Sequence, residues 1–143
     1  LQDLFEGKGE YGQITFLAPS NLAIMTYMFN NNFRRVNEIP AAECRRLLEK
    51  LIIPQRILTS DVPRGSRSEA TGEKTGGKTY TLMDGSEAFL WTFQESYLGV
   101  GNAGAVHLWF FIEKFATSRR IYSSNIQTEN GVVQALGHDF LFE

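Results

Sequence analysis

Residues 72–79 read Gly-Glu-Lys-Thr-Gly-Gly-Lys-Thr and satisfy G-x-x-x-x-G-K-[ST], the spacing by which backbone N–H groups and one lysine cradle nucleotide phosphates. That chemistry would fall to Gly72, Gly77, Lys78 and Thr79. It requires a buried strand entering the loop and a helix leaving it, because the helix start supplies the aimed donors and the dipole. Residues 63–71 upstream are polar, residues 80–85 downstream read as a hairpin strand, and no later apolar strand ends in a magnesium-holding Asp. The string therefore reads as a coincidence in a Gly/Lys/Thr-rich loop, and P-loop-like nucleotide binding through Gly72–Thr79 is a disfavoured alternative.

The two histidines are the next candidates. His107 falls inside the apolar run 105–112, where a hydrogen-bonded structural role is expected, and His138 stands beside Asp139. Hydrolysis at either would need a nucleophile within hydrogen-bond reach and a carboxylate to orient the ring. Neither a G-x-S-x-G elbow nor an H-E-x-x-H pair is present. A hydrolase using His107 or His138 is the second disfavoured alternative. Cys44 is the single cysteine, which excludes intramolecular disulfides and Cys-based zinc patterns. We expect no catalytic residue, no cofactor and no metal.

Arg64, Arg67, Arg119 and Arg120 make a local basic set with Tyr97 as an aromatic neighbour in type. Aromatics in this chain alternate with other residues at strand period, which points them into a core instead of onto a base-stacking platform. The 14 Lys+Arg against 16 Asp+Glu leave a net charge of −2. No sequence-wide basic field attracts phosphate backbones, so no nucleic-acid partner is expected. The 43% hydrophobic content of 143 residues suits one ordinary globular domain. The longest strongly apolar run has eight residues, against about 20 for a membrane-crossing helix. Because the chain opens on Leu1 without a basic-then-apolar leader, we expect an excised or processed domain whose targeting segment, with a lipid anchor upstream, has been removed.

The elements that must position these residues begin with a strand at 14–17, β-branched and aromatic, ended by Ala18-Pro19. Ser20 and Asn21 suit the start of a helix over residues 20–29, with Leu22, Met25, Met28 and Phe29 as its apolar face. Asn30-Asn31-Asn32 ends it. Pro40 opens a second helix whose stripe is Cys44, Leu47, Leu48, Leu51 and Ile52, and Pro54 closes it. Residues 59–77 form the one long loop, expected to be mobile. Asp84-Gly85 turns a hairpin in which Phe89, Trp91 and Phe93 alternate on the return strand. Strands follow at 105–112, at 119–122 and, after Asn130-Gly131, at 132–142 with a break at Gly137. Early helices and late strands give an α+β arrangement, a β-sandwich or partly open barrel with helices packed on one side.

Two segments resemble the signatures of the fasciclin domain. Ile14-Thr15-Phe16-Leu17-Ala18-Pro19-Ser20-Asn21 is similar to the opening strand-to-helix signature. Residues 125–136, Asn125-Ile126 through Asn130-Gly131-Val132-Val133-Gln134, are similar to the closing one. Together they bracket nearly the whole chain, so residues 1–143 are expected to be a single fasciclin-like domain. The resemblance implies a wedge-shaped β-sandwich and a non-catalytic extracellular or cell-surface adhesion module. Its partners would be a cell-surface or matrix protein or a glycan. Thr15, Phe16, Ala18, Pro19, Ser20, Asn21, Asn130 and Gly131 read as fold determinants. Two departures from the resembling pattern stand out: Gln55-Arg56 replaces a Tyr-His pair and Gln134 replaces a usual His. The absence of N-x-[ST] favours a bacterial envelope protein over an animal matrix protein. Contacts are expected on loops at 64–74 and 97–102, with Arg64, Arg67, Tyr97 and Asn102 as the partner-binding candidates.

Overall fold

The β-branched and aromatic run forms strand β1, Ile14–Ala18, and Pro19 ends it. We describe residues 2–6, 12–113 and 117–142 of the computed structural model, in which a short helix α1, Gln2–Phe5, precedes β1. Ser20 caps helix α2, Asn21–Asn30: its backbone is extended and its hydroxyl accepts from the Ala23 N–H at 3.3 Å. Asn32, at φ 61°, takes the chain away from the helix end.

The buried face of α2 differs from the expected one. Leu22, Met25 and Phe29 are exposed, Phe29 to 82%, and Ala23 and Tyr27 are the buried residues. Ala23 is small enough to allow close approach to neighbouring elements. Tyr27 buries its ring while its hydroxyl donates to Glu43 Oε1 at 2.7 Å, so a polar-tipped residue takes the place a hydrophobicity count gives to methionine. Helix α3, Ala41–Glu49, buries Leu47 and half-buries Cys44, while Arg45 and Arg46 lie on its solvated side. Strand β2, Ile52–Ile53, follows and is fully buried.

Residues 59–77 are not a long open loop. A 3-10 turn at Thr59–Asp61 leads into strands β3, Gly65–Arg67, and β4, Lys74–Gly76, paired as an antiparallel hairpin. Backbone and side-chain groups pin this hairpin down. Thr92 donates from N to Pro63 O at 3.0 Å and from Oγ1 to Val62 O at 3.1 Å, and Gly77 N donates to Arg64 O at 2.9 Å. Polar composition concealed the hairpin because its packing is cation on aromatic ring instead of hydrocarbon on hydrocarbon.

Strands β5, Lys78–Thr81, and β6, Glu87–Gln94, form the expected hairpin about Asp84-Gly85, with Gly85 at φ 86°. Strand β7 is Val106–Ile112. Strand β8, Arg119–Thr128, is longer than the expected segment, and β9, Gly131–Leu136, stops before Gly137. Seven strands join in the order β2-β1-β9-β8-β7-β6-β5. The two signature segments lie side by side, β1 parallel to β9 from Ile14↔Gly131 to Ala18↔Ala135. Beneath them one core takes Leu17 from β1, Leu90 from β6, Phe110 from β7, Ile121 from β8 and Leu136 from β9, with Phe140 beyond.

The polar residues of the signatures tie this core to the chain after β2. Thr15 Oγ1 donates to Gln55 O and accepts from Ile57 N, both at 2.7 Å. Gln134, fully buried, donates from Nε2 to Ile57 O at 3.1 Å. Gln134 thus has a structural task at the position where the resembling signature carries His.

Candidate functional site

Strict alternation along β6 and β7 gives the sheet two apolar faces. Ala88, Leu90, Leu108, Phe110 and Ile112 enter the main core. Phe89, Trp91 and Phe93 point to the other face, where the register sets them against Phe111, Trp109 and His107. The expectation that alternating aromatics point into a core holds for Phe89 and Trp91, which are buried in a second, smaller core with Phe111, and fails for Phe93, which is exposed. Phe89, Trp91, Phe111 and Trp109 form a separate cluster. Phe89 stacks on Trp91 with ring centroids 5.1 Å apart, and Trp91 on Trp109 at 6.1 Å.

The β3–β4 hairpin covers one end of this ladder. The Arg67 guanidinium carbon sits 3.5 Å above the Phe111 ring centroid, and Lys74 Nζ lies 5.5 Å from Phe89 and 5.7 Å from Phe111. Cation–π attraction of this kind contributes up to about 2 kcal/mol when the cation is desolvated. Gly77 permits the close fit, because a Cβ there would stand 2.6 Å from both the Phe89 ring and Leu90 O. The other end stays open: Phe93 is 53% exposed and Trp109 is half-buried.

Between the hairpin and the start of β8 lies a groove of about 330 Å³. Trp91, Trp109 and Phe93 line its apolar part, and Ser66, Arg67, Glu69 and Ser118 its polar part. Glu69 Oε1 spans the two sides, accepting from Ser118 N at 3.0 Å and from Arg67 Nη1 at 3.1 Å. The hydroxyl and N–H of Ser118 and the Arg67 charge hold the Glu69 carboxyl below its ordinary range, so it is an anion at neutral pH. Arg67 is 10% exposed, and only Nη1 of its three nitrogens is hydrogen-bonded among the described residues; Nε is buried without a partner.

Of the sequence candidates, Arg67 alone lines the groove. Arg64 lies at the hairpin entrance, where Nη2 donates to Gln94 Oε1 at 2.7 Å. Gln94 in turn donates to Gly104 O at 3.1 Å, linking the hairpin to the 95–105 turn. Tyr97 is exposed on that turn, at a two-residue hairpin closed by reciprocal bonds with Val100, and Asn102 follows at φ 56°. Trp91, Trp109, Phe93 and Glu69 were missed as site residues. Their signal was present on β7 alone: Trp109, Phe110 and Phe111 are consecutive, so they cannot all point to one face, whereas Phe89, Trp91 and Phe93 of β6 share a single face.

The phosphate-loop string dissolves into strands. Lys74–Gly76 is β4, Lys78 begins β5, and the string therefore runs into a strand instead of a helix. Lys78 Nζ lies 5.2 Å from the Tyr80 ring centroid. His107 Nε2 sits 3.1 Å from Glu95 Oε1, and His138 is exposed. Among the described residues no three His, Cys, Asp or Glu side chains gather as metal ligands, and no helix is long and apolar enough to cross a membrane.

No protein-family model matches this sequence, and no curated protein matches it. Among solved structures the chain is similar to a FAS1 domain pair from the insect cell adhesion molecule fasciclin I. Identity is 16% and the TM-score 0.54, over 88% of this chain and 36% of the other. The chain thus spans about a third of the length of that structure. At this identity the likeness concerns architecture, and it agrees with the two signature segments, which the sheet brings together as β1 and β9. The fold of this chain is that of a fasciclin domain.

Proposed function

We propose that this protein is a non-catalytic adhesion-type binding module that works outside the cell or at its surface and recognises a protein or glycan partner. The observation that carries the reading is the groove beside the β3–β4 hairpin: a small aromatic surface outside the main core, bordered by a buried Arg67 and an ionised Glu69. Binding sites combine apolar area with a few fixed polar groups in this way. The likeness to a domain pair of a cell adhesion molecule supports the class of activity. The whole chain would act as one wedge-shaped unit, its sheet folded over a core shared by β1, β6, β7 and β9. Arg64, Tyr97 and Asn102 would extend the contact surface beyond Arg67.

The test is adhesion of the purified chain to immobilised envelope preparations and matrix proteins, followed by biolayer interferometry. Saturable binding weakened by Phe93→Ala, or by Arg64→Ala with Tyr97→Ala, is the expected result. Wild-type protein that binds none of these surfaces overturns the reading.

A further inference from the structure

The groove combines features that a flat protein-docking face does not need. Its apolar part is edge and face of aromatic rings, Trp109 and Phe93, left partly open on the solvent side. Its rim carries a carboxylate acceptor, two hydroxyls and the Arg67 guanidinium, whose Nη2 makes no hydrogen bond among the described residues. A ring with one C–H face and a periphery of hydroxyl groups meets both halves at once: the C–H face packs on the aromatic rings, and the hydroxyls donate to Glu69 and pair with Ser66 and Ser118. The volume, about 330 Å³, is at the small end for ligand pockets and suits one or two such rings.

Charge narrows the class further. Arg67 and Lys74 stand over the ladder, and Arg120 lies opposite Trp109 on β8, so a cationic peptide side chain would meet like charge. Glu69 on the rim disfavours a carboxylate ligand. An aromatic or aliphatic side chain would cover the rings and leave the Glu69 oxygens and the Arg67 donors without new partners. From the ladder and its polar rim we infer that this groove binds a neutral pyranose of a surface glycan, stacked on Trp109 and Phe93 with its hydroxyls held by Glu69. This rests on the adhesion reading and names its ligand class.

The two tryptophans of the chain both line the groove, so intrinsic fluorescence reports on it directly. The probes are the methyl glycosides of glucose, galactose, mannose and N-acetylglucosamine and their tetrasaccharides, with sorbitol and an Arg-rich and a Phe-rich hexapeptide as controls. A saturable emission change with at least one glycoside, absent with sorbitol, is expected. Glu69→Gln and Phe93→Ala, both at exposed positions, should each weaken it about tenfold with unchanged circular dichroism, and Trp109→Phe should weaken it less.

No saturable change with any glycoside up to tens of millimolar overturns the inference. So does a response unaltered by Glu69→Gln and Phe93→Ala, or one given only by a peptide. If wild-type protein adheres to surfaces but fails the sugar titration, the ligand class falls and the adhesion reading stands. If sugars bind but no surface is bound, the adhesion reading falls instead.

Discussion

Gln134 Oε1 accepts the backbone N–H of Asn125 at 2.9 Å, and Gln134 Nε2 lies 3.2 Å from the Asn125 side-chain oxygen. Asn125 sits at φ 59°, within the register shift between Ser123 and Ile126 of β8, and its side-chain oxygen also accepts from Thr59 N and Oγ1. One buried amide therefore fixes an irregular strand and, through Ile57 O, the chain leading to the hairpin. Replacing Gln134 by Leu keeps the volume roughly and strands these groups. The expected cost is about 3 kcal/mol in urea unfolding. Gln134→His retains one donor and one acceptor and should cost about 1 kcal/mol.

Gly131 starts β9 at φ 152°, where a Cβ would come 2.0 Å from the Ile14 carbonyl oxygen. The clash is with backbone of the paired strand and has nowhere to go. Gly131→Ala should therefore destabilise by more than about 3 kcal/mol or prevent folding, seen as loss of the cooperative thermal transition. Gly85→Ala is the comparison: φ is 86° with open space around it, so only the backbone term of about 1–2 kcal/mol is expected.

Arg46, then the Tyr27 hydroxyl, hydrogen-bonds the Glu43 carboxylate and lowers its pKa from 4.5 to about 2. Below pH 4.5 the unfolded chain binds the proton that the folded chain refuses, so stability rises with pH in this window. The contribution is complete above pH 4.5 and is lost as pH falls through about 2. A carboxyl carbon titration by NMR should place the Glu43 midpoint near 2, and Glu43→Gln should flatten acid denaturation over this range.

On α2, Leu22→Ser, Met25→Ser and Phe29→Ser should each change stability by no more than about 0.5 kcal/mol, because these side chains are exposed. Ala23→Leu on the buried side should cost about 1–3 kcal/mol through overpacking. Differential scanning calorimetry of the four variants separates the two faces.

The strand-to-helix corner at Pro19-Ser20, the turns at Asp84-Gly85 and Asn130-Gly131 and the strand character of residues 106–112 were legible because each depends on local backbone chemistry. What escaped depended on tertiary partners. Residues 65–76 carry no apolar pattern, and their hairpin is held by Arg67 and Lys74 on the aromatic rings of β6 and β7 together with the Thr92 and Gly77 hydrogen bonds. The same holds for α2, where Tyr27 reaches Glu43 on another helix and so turns its own face inward. Arg67 was named from its loop, but the tryptophans it sits beside were assigned to the core. Which face of a sheet is the inside is a property of the whole fold, and alternation alone is silent about it.

The first and last strands of the sheet run parallel and adjacent, from Ile14↔Gly131 to Ala18↔Ala135. A load entering upstream of β1 and leaving downstream of β9 pulls two such neighbours in opposite directions along their length. After residues 137–142 have peeled away, the rungs between them must break together in shear, not unzip one at a time. Resistance to tension along the chain would then reside in this pair, which is separate from the β6 and β7 strands that line the groove.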